Sequence, residues 1–218
     1  DMGVNMAGNC IVDDEACREA SRNEIIRRYF KALCDHKIGK NVDSEIFKLE
    51  LLLNQAGLAV GDRAVEKQAH AVAERTGGAP AAAIELPDGT VVTGKNGPLL
   101  GAASSALLNA LKKLAGIDHE IDLVSARAIE PIQTLKTNYL GSKNPRLHTD
   151  EILIALSSSA AQNPTAAAAL KQLSHLKGCD MHSTVILSSV DMDTVKKLGM
   201  YLTCEPTYEE ADRMYHKK

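Results

Sequence analysis

The sequence predicts an α/β protein, in which an N-terminal helical subdomain is followed by a three-layer α/β/α subdomain with a mixed sheet. Two observations lead to this prediction. Apolar residues recur at helical spacing through residues 13–77, whereas short β-rich runs alternate with helical patterns from residue 79 onward. We therefore expect two subdomains: residues 1–78, helical with an initial loop, and residues 79–218, with a β-hairpin and a C-terminal βαβ unit.

Three helices are predicted in the first subdomain. Residues 13–36 open with acidic side chains, which suit a helix N-terminus, and then repeat apolar residues on one face. Asp43 is expected to cap a second helix that ends at Gly57. A third helix is expected from Asp62 to Gly77.

The second subdomain begins with the strongest hairpin signal in the chain, the Asp88-Gly89 pair between two short β-rich runs. The chain then alternates between helical and strand patterns, which is typical of an α/β subdomain. The predicted elements are a helix closed by Gly116, a buried strand at 121–125, a helix at 128–140, two Ala-rich helices separated at Asn163-Pro164, and a strand, a helix and a strand within 183–206.

Composition excludes several classes of function. The 218 residues carry a net charge of -3 and a sequence pI of about 6.2, so the chain lacks the basic field of nucleic-acid-binding proteins. Two Phe, five Tyr and no Trp leave few rings on which bases could stack. We therefore expect no nucleic-acid partner.

Cysteines and hydropathy indicate the compartment. Five cysteines, an odd number scattered along the chain, suit a reducing cytoplasm better than a disulfide framework. No run approaches the roughly 18 apolar residues that a membrane span needs, so we expect no membrane partner. The chain opens on Asp1 and Met2 in mid-pattern, and we expect that an upstream part of the protein is missing.

A turn rich in hydrogen-bond donors is the strongest candidate for a site. Lys143, Asn144 and Arg146 lie a few residues ahead of a helix that is expected to start near Thr149. Free backbone N–H groups at a helix start, together with an ammonium and a guanidinium, favour phosphate or carboxylate. These three residues, with Lys95 from a neighbouring loop, are therefore the predicted anion-binding residues.

His148 and Asp150 flank the start of the same helix, and they are the candidate catalytic residues. An imidazole near its ordinary pKa can accept and donate protons at neutral pH. The alternative is purely structural: Arg146 pairs with Asp150 or Glu151 in an exposed turn.

Two other turns contain glycine and polar residues. The first, around Lys95, Gly97 and Gly101, resembles a phosphate-binding loop only loosely, and a hairpin exit followed by a helix start also explains it. The second, from Asn5 to Asn9, allows close approach of a ligand and precedes Cys10, but no neighbouring histidine supports a nucleophilic cysteine.

Cys179 and His182 have a spacing that is compatible with a zinc site. His148 and Cys204 could complete a tetrahedral set if the fold brought them together. A zinc site usually shows two closely spaced pairs, so we predict no metal ligand and interpret both cysteines as small apolar residues. The sequence names no cofactor.

Long segments closely resemble the C-terminal half of a bacterial family, the domain of unknown function 1846, also called uncharacterised protein family 0371. These segments include AAAIELPDGTVVTGK, GAASSALLNALKKLAGID, EPIQTLKTNYLGSKNPRLHTDEILIALS and HSTVILSSVD. The resemblance implies a helical subdomain followed by a three-layer α/β subdomain. It also implies an upstream half with a glycine-rich segment of nucleotide-binding appearance, but no catalytic residue that could be carried over.

Three hypotheses of function follow. The first is the C-terminal half of a cytoplasmic bacterial enzyme that binds a phosphorylated or carboxylated small molecule at the turn before Thr149. The second is a non-enzymatic assembly module, in which the long first helix and the Ala-rich helices form a homo-oligomer interface. The third is a zinc-dependent hydrolase.

Overall fold

The computed structural model describes residues 13–209, apart from the side chain of Asp62. Its contacts divide the chain into two compact units, Asp1–Val60 and Gly61–Lys218. The first unit contains two described helices, α1 (Asp14–Lys37) and α2 (Asp43–Ala56). Each unit has its own apolar core, and the candidate site lies in the second.

Helices α1 and α2 form where the sequence predicts them, but the predicted cap at Asp43 is wrong: Val42 is the cap residue of α2, Asp43 is its first helical residue, and no described side chain caps this helix. The side chain of Asp13 accepts a hydrogen bond from Ala16 N at 2.9 Å and so caps α1. Gly57 closes α2 in the left-handed conformation that glycine tolerates best. Ile26 and Phe30 of α1 pack against Leu53 of α2 and form the core of this unit.

The second unit contains six helices and four strands in its described part, after a short 3-10 turn at Val60–Asp62. Two of the helices continue into tighter or wider turns, a π-helical turn at Leu135–Tyr139 and a 3-10 segment at Lys171–Leu176. In chain order the elements are α3 (Ala64–Arg75), β1 (Ala81–Glu85), β2 (Val91–Lys95), α4 (Ala102–Leu114), α5 (Ala126–Thr134), α6 (Thr149–Ala160), α7 (Pro164–Leu170), β3 (Asp180–Ser183), α8 (Ser189–Lys197) and β4 (Tyr201–Cys204).

The four strands form one mixed sheet in the order β2-β1-β3-β4. Strand β1 pairs antiparallel with β2, through the turn at Asp88-Gly89, and antiparallel with β3. Strand β3 pairs parallel with β4, and α8 connects the two as a βαβ unit. The predicted α/β class, the hairpin and the mixed sheet are confirmed.

Helices cover both faces of the sheet. On one face Ala83 of β1 packs against Val65 and Ala69 of α3. On the other face Ala82 and Ile84 join the larger core, to which α4, α5, α6, α7 and α8 all contribute buried side chains. Because neighbouring residues of a strand point to opposite faces, β1 is buried on both.

The compact units divide between Val60 and Gly61, whereas the sequence pattern placed the boundary after residue 78. Helix α3 explains the difference, because its apolar face packs on β1 of the second unit. Helical periodicity alone shows that a helix has an apolar face, but it does not show which neighbour covers that face.

Two strand predictions were wrong. Residues 121–125 form an irregular segment, in which Leu123 and Val124 are buried in the larger core. Their apolar character reflects this burial, since no described strand pairs with them. The strand expected from residue 183 instead spans Asp180–Ser183, so the apolar residues 184–187 follow the strand rather than form it.

No helix in the described part of the chain combines the length and the apolar character that crossing a membrane requires.

Candidate functional site

Several loops and helix starts meet at one edge of the sheet, which we call the carboxyl edge because β3 and β4 end there. The register places the end of β3, Ser183, beside the end of β4, Cys204. It also places Ala82 of β1 opposite Ser183, and the end of β2, Lys95, opposite Ala81. Ligands of open α/β sheets commonly bind at such an edge.

The turn before α6 reaches this edge with a fixed conformation. Asn144 is buried, and its Oδ1 accepts a hydrogen bond from Arg146 N at 3.0 Å. Leu147 forms a bridge with Leu100 and is buried in the larger core. Because side chains alternate along an extended backbone, Arg146 and His148 both project away from that core.

Arg146 holds a carboxylate of the chain itself. Its guanidinium lies 2.8 Å from Glu209 Oε1, and Asn96 Nδ2 donates to the same oxygen at 3.1 Å. The amide of Asn96 is oriented because its Oδ1 accepts from Ala102 N, at the start of α4, at 2.7 Å. One arginine and one amide from separate loops therefore converge on a single carboxylate oxygen.

The other predicted anion-binding residues are arranged differently. Lys143 and Lys95 are exposed, so each can add only screened positive charge to the surroundings of Arg146. Asn144 contributes by shaping the turn through its hydrogen bond to the backbone of Arg146.

The start of α6 already holds a carboxylate, that of Asp191 from α8. Asp191 Oδ1 accepts from Thr149 N at 2.8 Å, and Asp191 Oδ2 lies 2.9 Å from His148 Nδ1. The hydroxyl of Ser188 donates to the same Oδ2 at 2.7 Å. The helix N-terminus that the sequence assigned to a ligand therefore binds a protein group.

The carboxylate partner of His148 is Asp191 rather than Asp150. Asp150 instead accepts a hydrogen bond from the backbone of Glu151 at 2.8 Å, within the first turn of α6. A histidine whose Nδ1 faces a buried carboxylate is held in one orientation, with its other nitrogen directed outward. This arrangement supports the imidazole in proton transfer.

Asp191 is ionised in the folded protein. Burial would raise its pKa, but the hydrogen bond and charge of His148 outweigh this effect, together with the bonds from Thr149 N and Ser188. The pKa of the Asp191 carboxyl therefore lies below its ordinary value.

Replacement of Asp191 by Asn is expected to lower the free energy of unfolding by about 2 kcal/mol at neutral pH, because the amide loses charge-assisted hydrogen bonds. A carboxyl with a depressed folded pKa stabilises the fold above its unfolded pKa, about 3.9, and this stability is lost as pH falls through the folded pKa. The difference between wild type and variant should therefore shrink below about pH 4. Urea unfolding at a series of pH values measures it, and a difference independent of pH would contradict an ionised Asp191.

A second cluster near the carboxyl edge consists of His70, His182 and Glu205. Glu205 Oε1 lies 3.0 Å from His70 Nε2 and 3.5 Å from His182 Nε2. Burial lowers the pKa of His182, and the hydrogen bond from His182, helped by His70, lowers the pKa of Glu205. Two imidazoles thus converge on one carboxylate.

A cavity of about 280 Å³ lies beside the histidine cluster. His70 and Glu205 line it, and so does Glu209, the partner of Arg146. A ligand in this cavity would contact His70 and Glu205 of the histidine cluster and Glu209.

The sheet separates Cys179 and Cys204 from His182, so these residues do not form a zinc site together. Met181 and Leu202 contact the larger core, and the alternation of side chains places Cys179 and Cys204 on that same face. His182 and Thr203 therefore point to the opposite face. The pKa of the Cys179 thiol is raised by its burial, which suits a small apolar residue better than a thiolate ligand.

Hydrogen bonds in the loop from Lys95 to Ser105 favour a hairpin exit followed by a helix start over a phosphate-binding loop. Gly101 N donates to Leu147 O at 3.4 Å, and the hydroxyl of Ser104 donates to the same oxygen at 3.0 Å. With Ala102 N bound to Asn96, the start of α4 is satisfied by protein groups. The turn from Asn5 to Asn9, with Cys10, lies outside the described residues.

Comparison with known protein families gives two matches, which together cover almost the whole chain. Residues 61–215 match the family described as domain of unknown function DUF1846, C-terminal, and residues 1–57 match its N-terminal domain. The chain belongs to the DUF1846 family. The two matched domains meet between residues 57 and 61, where the compact units also divide.

Similar proteins come from several bacteria. A UPF0371 protein of Corynebacterium urealyticum is 54% identical over 95% of this chain and 42% of its own length. A UPF0371 protein of Corynebacterium efficiens is 54% identical over 100% of this chain and 44% of its own length, and one of Streptococcus thermophilus is 50% identical over the same shares. This DUF1846 chain therefore spans less than half the length of these relatives.

Sequence reasoning missed Asp191, Ser188 and Glu209, and it considered Asn96 only as part of the loop that loosely resembles a phosphate-binding loop. The sequence around Ser188 and Asp191 indicates only a helix start. The sequences around Asn96 and Glu209 indicate only polar loops. A usable signal did exist: Asn96 directly follows β2, Ser188 lies in the loop after β3, and Glu209 lies in the segment after β4, where α/β proteins gather their ligands.

Proposed function

We propose that this region of the DUF1846 chain binds a small molecule carrying a carboxylate or a phosphate, with Arg146 and Asn96 as its direct partners. The observation that carries the proposal is the carboxylate of Glu209, which contacts Arg146 at 2.8 Å and Asn96 at 3.1 Å. A ligand anion would replace Glu209 at these donors. Guanidinium and amide groups suit either kind of anion.

Supporting residues surround these two donors. Asn144 holds the turn that aims Arg146, and the exposed Lys143 and Lys95 attract anions to the carboxyl edge over a longer distance. Such exposed charges act mainly on the rate of association, and their effect falls as salt concentration rises.

His148 gives the proposed site a chemical function. It projects on the same side of the turn as Arg146, and the contact with Asp191 at 2.9 Å orients its ring. A ligand anchored at Arg146 would present its neighbouring atoms to this imidazole, which would accept or donate a proton. We therefore favour an enzyme that uses general acid–base chemistry, and Asp150 stays a predicted proton-handling residue.

Replacement of Arg146 by Ala is expected to abolish stabilisation of the protein by its anionic ligand, because the charged partner is lost. Replacement of Glu209 by Ala should strengthen binding at least about tenfold, since the competing carboxylate is removed. Thermal shifts with a panel of phosphates, nucleotides and small carboxylates measure both effects.

Arg127→Ala is the matched control, since Arg127 is an exposed arginine of α5. It should bind the ligand like the wild type. The proposal is refuted if no compound of the panel stabilises either the wild type or Glu209→Ala. Stabilisation that survives in Arg146→Ala would place the anion elsewhere.

The assembly module stays a prediction, as do the cytoplasmic location and the homo-oligomer. Ala166 and Ala169 of the Ala-rich helix α7 are buried in the larger core, so this part of the helix is already covered. The upstream half is a proposed partner of this chain, because the relatives are more than twice as long as the matched region.

A further inference from the structure

We propose that His70, His182 and Glu205 form a binding site for one divalent transition-metal ion, with Zn²⁺ as the reference ion. Among the described residues, the ligand atoms of these three side chains lie within 4.8 Å of one another. Two imidazole nitrogens and one carboxylate oxygen are a ligand set typical of zinc and of non-haem iron. This inference does not depend on the proposed anion site.

The distances are close to those of an assembled site. Zinc bonds of about 2.0–2.1 Å in tetrahedral geometry place neighbouring ligand atoms about 3.4 Å apart. Glu205 Oε1 lies 3.0 Å from His70 Nε2 and 3.5 Å from His182 Nε2. His70 is half-exposed, so a small rotation of its ring can complete the geometry without disturbing the core.

Groups behind His182 fix the orientation of its ring. His182 Nδ1 lies 2.9 Å from Thr203 Oγ1, which also accepts from Arg63 Nη1 at 2.9 Å and donates to Met181 O at 3.2 Å. In the metal-bound form Nδ1–H donates to Thr203, and these three bonds use the whole capacity of the hydroxyl. Nε2 then carries the lone pair toward Glu205, as in metal-binding histidines with an outer hydrogen-bond partner.

The surrounding charges are compatible with a cation. Arg63 lies behind Thr203, but its guanidinium contacts Asp180 at 2.9 Å and Glu66 at 3.5 Å. The guanidinium of Arg63 carries one formal positive charge. The three carboxylates, those of Asp180, Glu66 and Glu205, carry three formal negative charges, so the sum is minus two. A divalent ion would neutralise this balance.

Three protein ligands leave a coordination position for water or another molecule, which is the arrangement of catalytic rather than structural zinc sites. His70 and Glu205 line the 280 Å³ cavity, so the remaining position faces it. Glu209 lines the same cavity from the side of Arg146. A metal-bound water would therefore lie in the cavity that Glu209, the carboxylate partner of Arg146, also lines.

Titration of the metal-free chain with Zn²⁺, followed by calorimetry, should show one site that is lost in two variants. Replacement of His70 by Ala or of Glu205 by Gln is expected to weaken binding by about 100-fold or more, since even the loss of an outer partner of a ligand costs 10- to 100-fold. Both residues are partly exposed, so these variants should retain the fold, which circular dichroism checks.

His119→Ala is the matched control, since His119 is an exposed histidine between two carboxylates, Asp118 and Glu120. It should leave the titration unchanged. Titration with Co²⁺ gives a second readout: the proposed ligands contain no sulfur, so the spectrum should lack thiolate charge-transfer bands. The proposal fails if the wild type binds no Zn²⁺ or if both variants bind Zn²⁺ like the wild type. It also fails if the Co²⁺ spectrum of the wild type shows thiolate charge-transfer bands.

Discussion

Replacement of Gly94 by Ala is expected to lower the free energy of unfolding by at least about 3 kcal/mol, at the upper end of the cost of overpacking. Gly94 lies in β2, where α4 crosses the strand. A Cβ at this position would overlap Ala106 N and would lie 2.7 Å from Ala102 O. Both atoms belong to the backbone of α4, so no rotation of a side chain can relieve the contact.

The helix would have to move away from the sheet, and this movement would open the larger core. Ala106 and Leu107 of α4 are both buried there, so the displacement would also cost packing contacts. Thermal unfolding should show a melting temperature roughly 6–12 °C lower, at about 2–4 °C per kcal/mol for a chain of this size.

Gly97→Ala is the matched control for this prediction. Gly97 follows the same strand, yet a Cβ built there meets nothing within 4 Å. Its melting temperature should stay within about 2 °C of the wild type, since a substitution without a new contact usually changes stability by less than 0.5 kcal/mol. Equal melting temperatures for the two variants would contradict the close approach of α4 to Gly94.

Local signals explain which parts of the fold the sequence predicted. The helix start at Asp13, the helix end at Gly57 and the Asp88-Gly89 turn each depend on a few neighbouring residues, and each is confirmed. Residues 121–125 were assigned wrongly, because burial of Leu123 and Val124 gives the same apolar run as a buried strand. Pairing with a neighbouring strand distinguishes the two, and pairing is not a local property.

The same distinction applies to the candidate site. The sequence identified Arg146 and His148 from their position before a helix, but their partners come from distant segments. Asp191 lies 43 residues beyond His148, and Glu209 lies 63 residues beyond Arg146. Motif spacing detects ligands that lie close together in the sequence. It does not detect clusters whose members are brought together by the order of strands in a sheet.

Replacement of Arg63 by Met is expected to lower the free energy of unfolding by about 3–5 kcal/mol, the usual cost of removing one partner of a buried ion pair. The side chain of Arg63 is 4% exposed and connects the start of α3 with two strands. It contacts Asp180 of β3 at 2.9 Å and Thr203 of β4 at 2.9 Å, besides Glu66 at 3.5 Å. Methionine fills similar space but leaves two carboxylates without this cation.

The size of the loss depends on Glu66, whose side chain is only 2% exposed. If the buried carboxylate causes most of the cost, the double variant Arg63→Met with Glu66→Gln should lose clearly less stability than the two single variants together. Urea unfolding of the four proteins gives this coupling directly. Arg75→Met, at the exposed other end of α3, is the control for the exchange itself and should change stability by less than about 0.5 kcal/mol.

Arg63 also connects stability with the proposed metal site, because Thr203 accepts hydrogen bonds from Arg63 and faces His182 Nδ1. Arg63→Met should therefore weaken Zn²⁺ binding by about 10- to 100-fold under conditions where the variant is still folded, the usual effect of disturbing an outer partner of a ligand. Glu66→Gln, which leaves Thr203 and His182 untouched, should change Zn²⁺ affinity much less. Loss of stability without loss of affinity in Arg63→Met would show that the guanidinium only balances buried charge and does not orient His182.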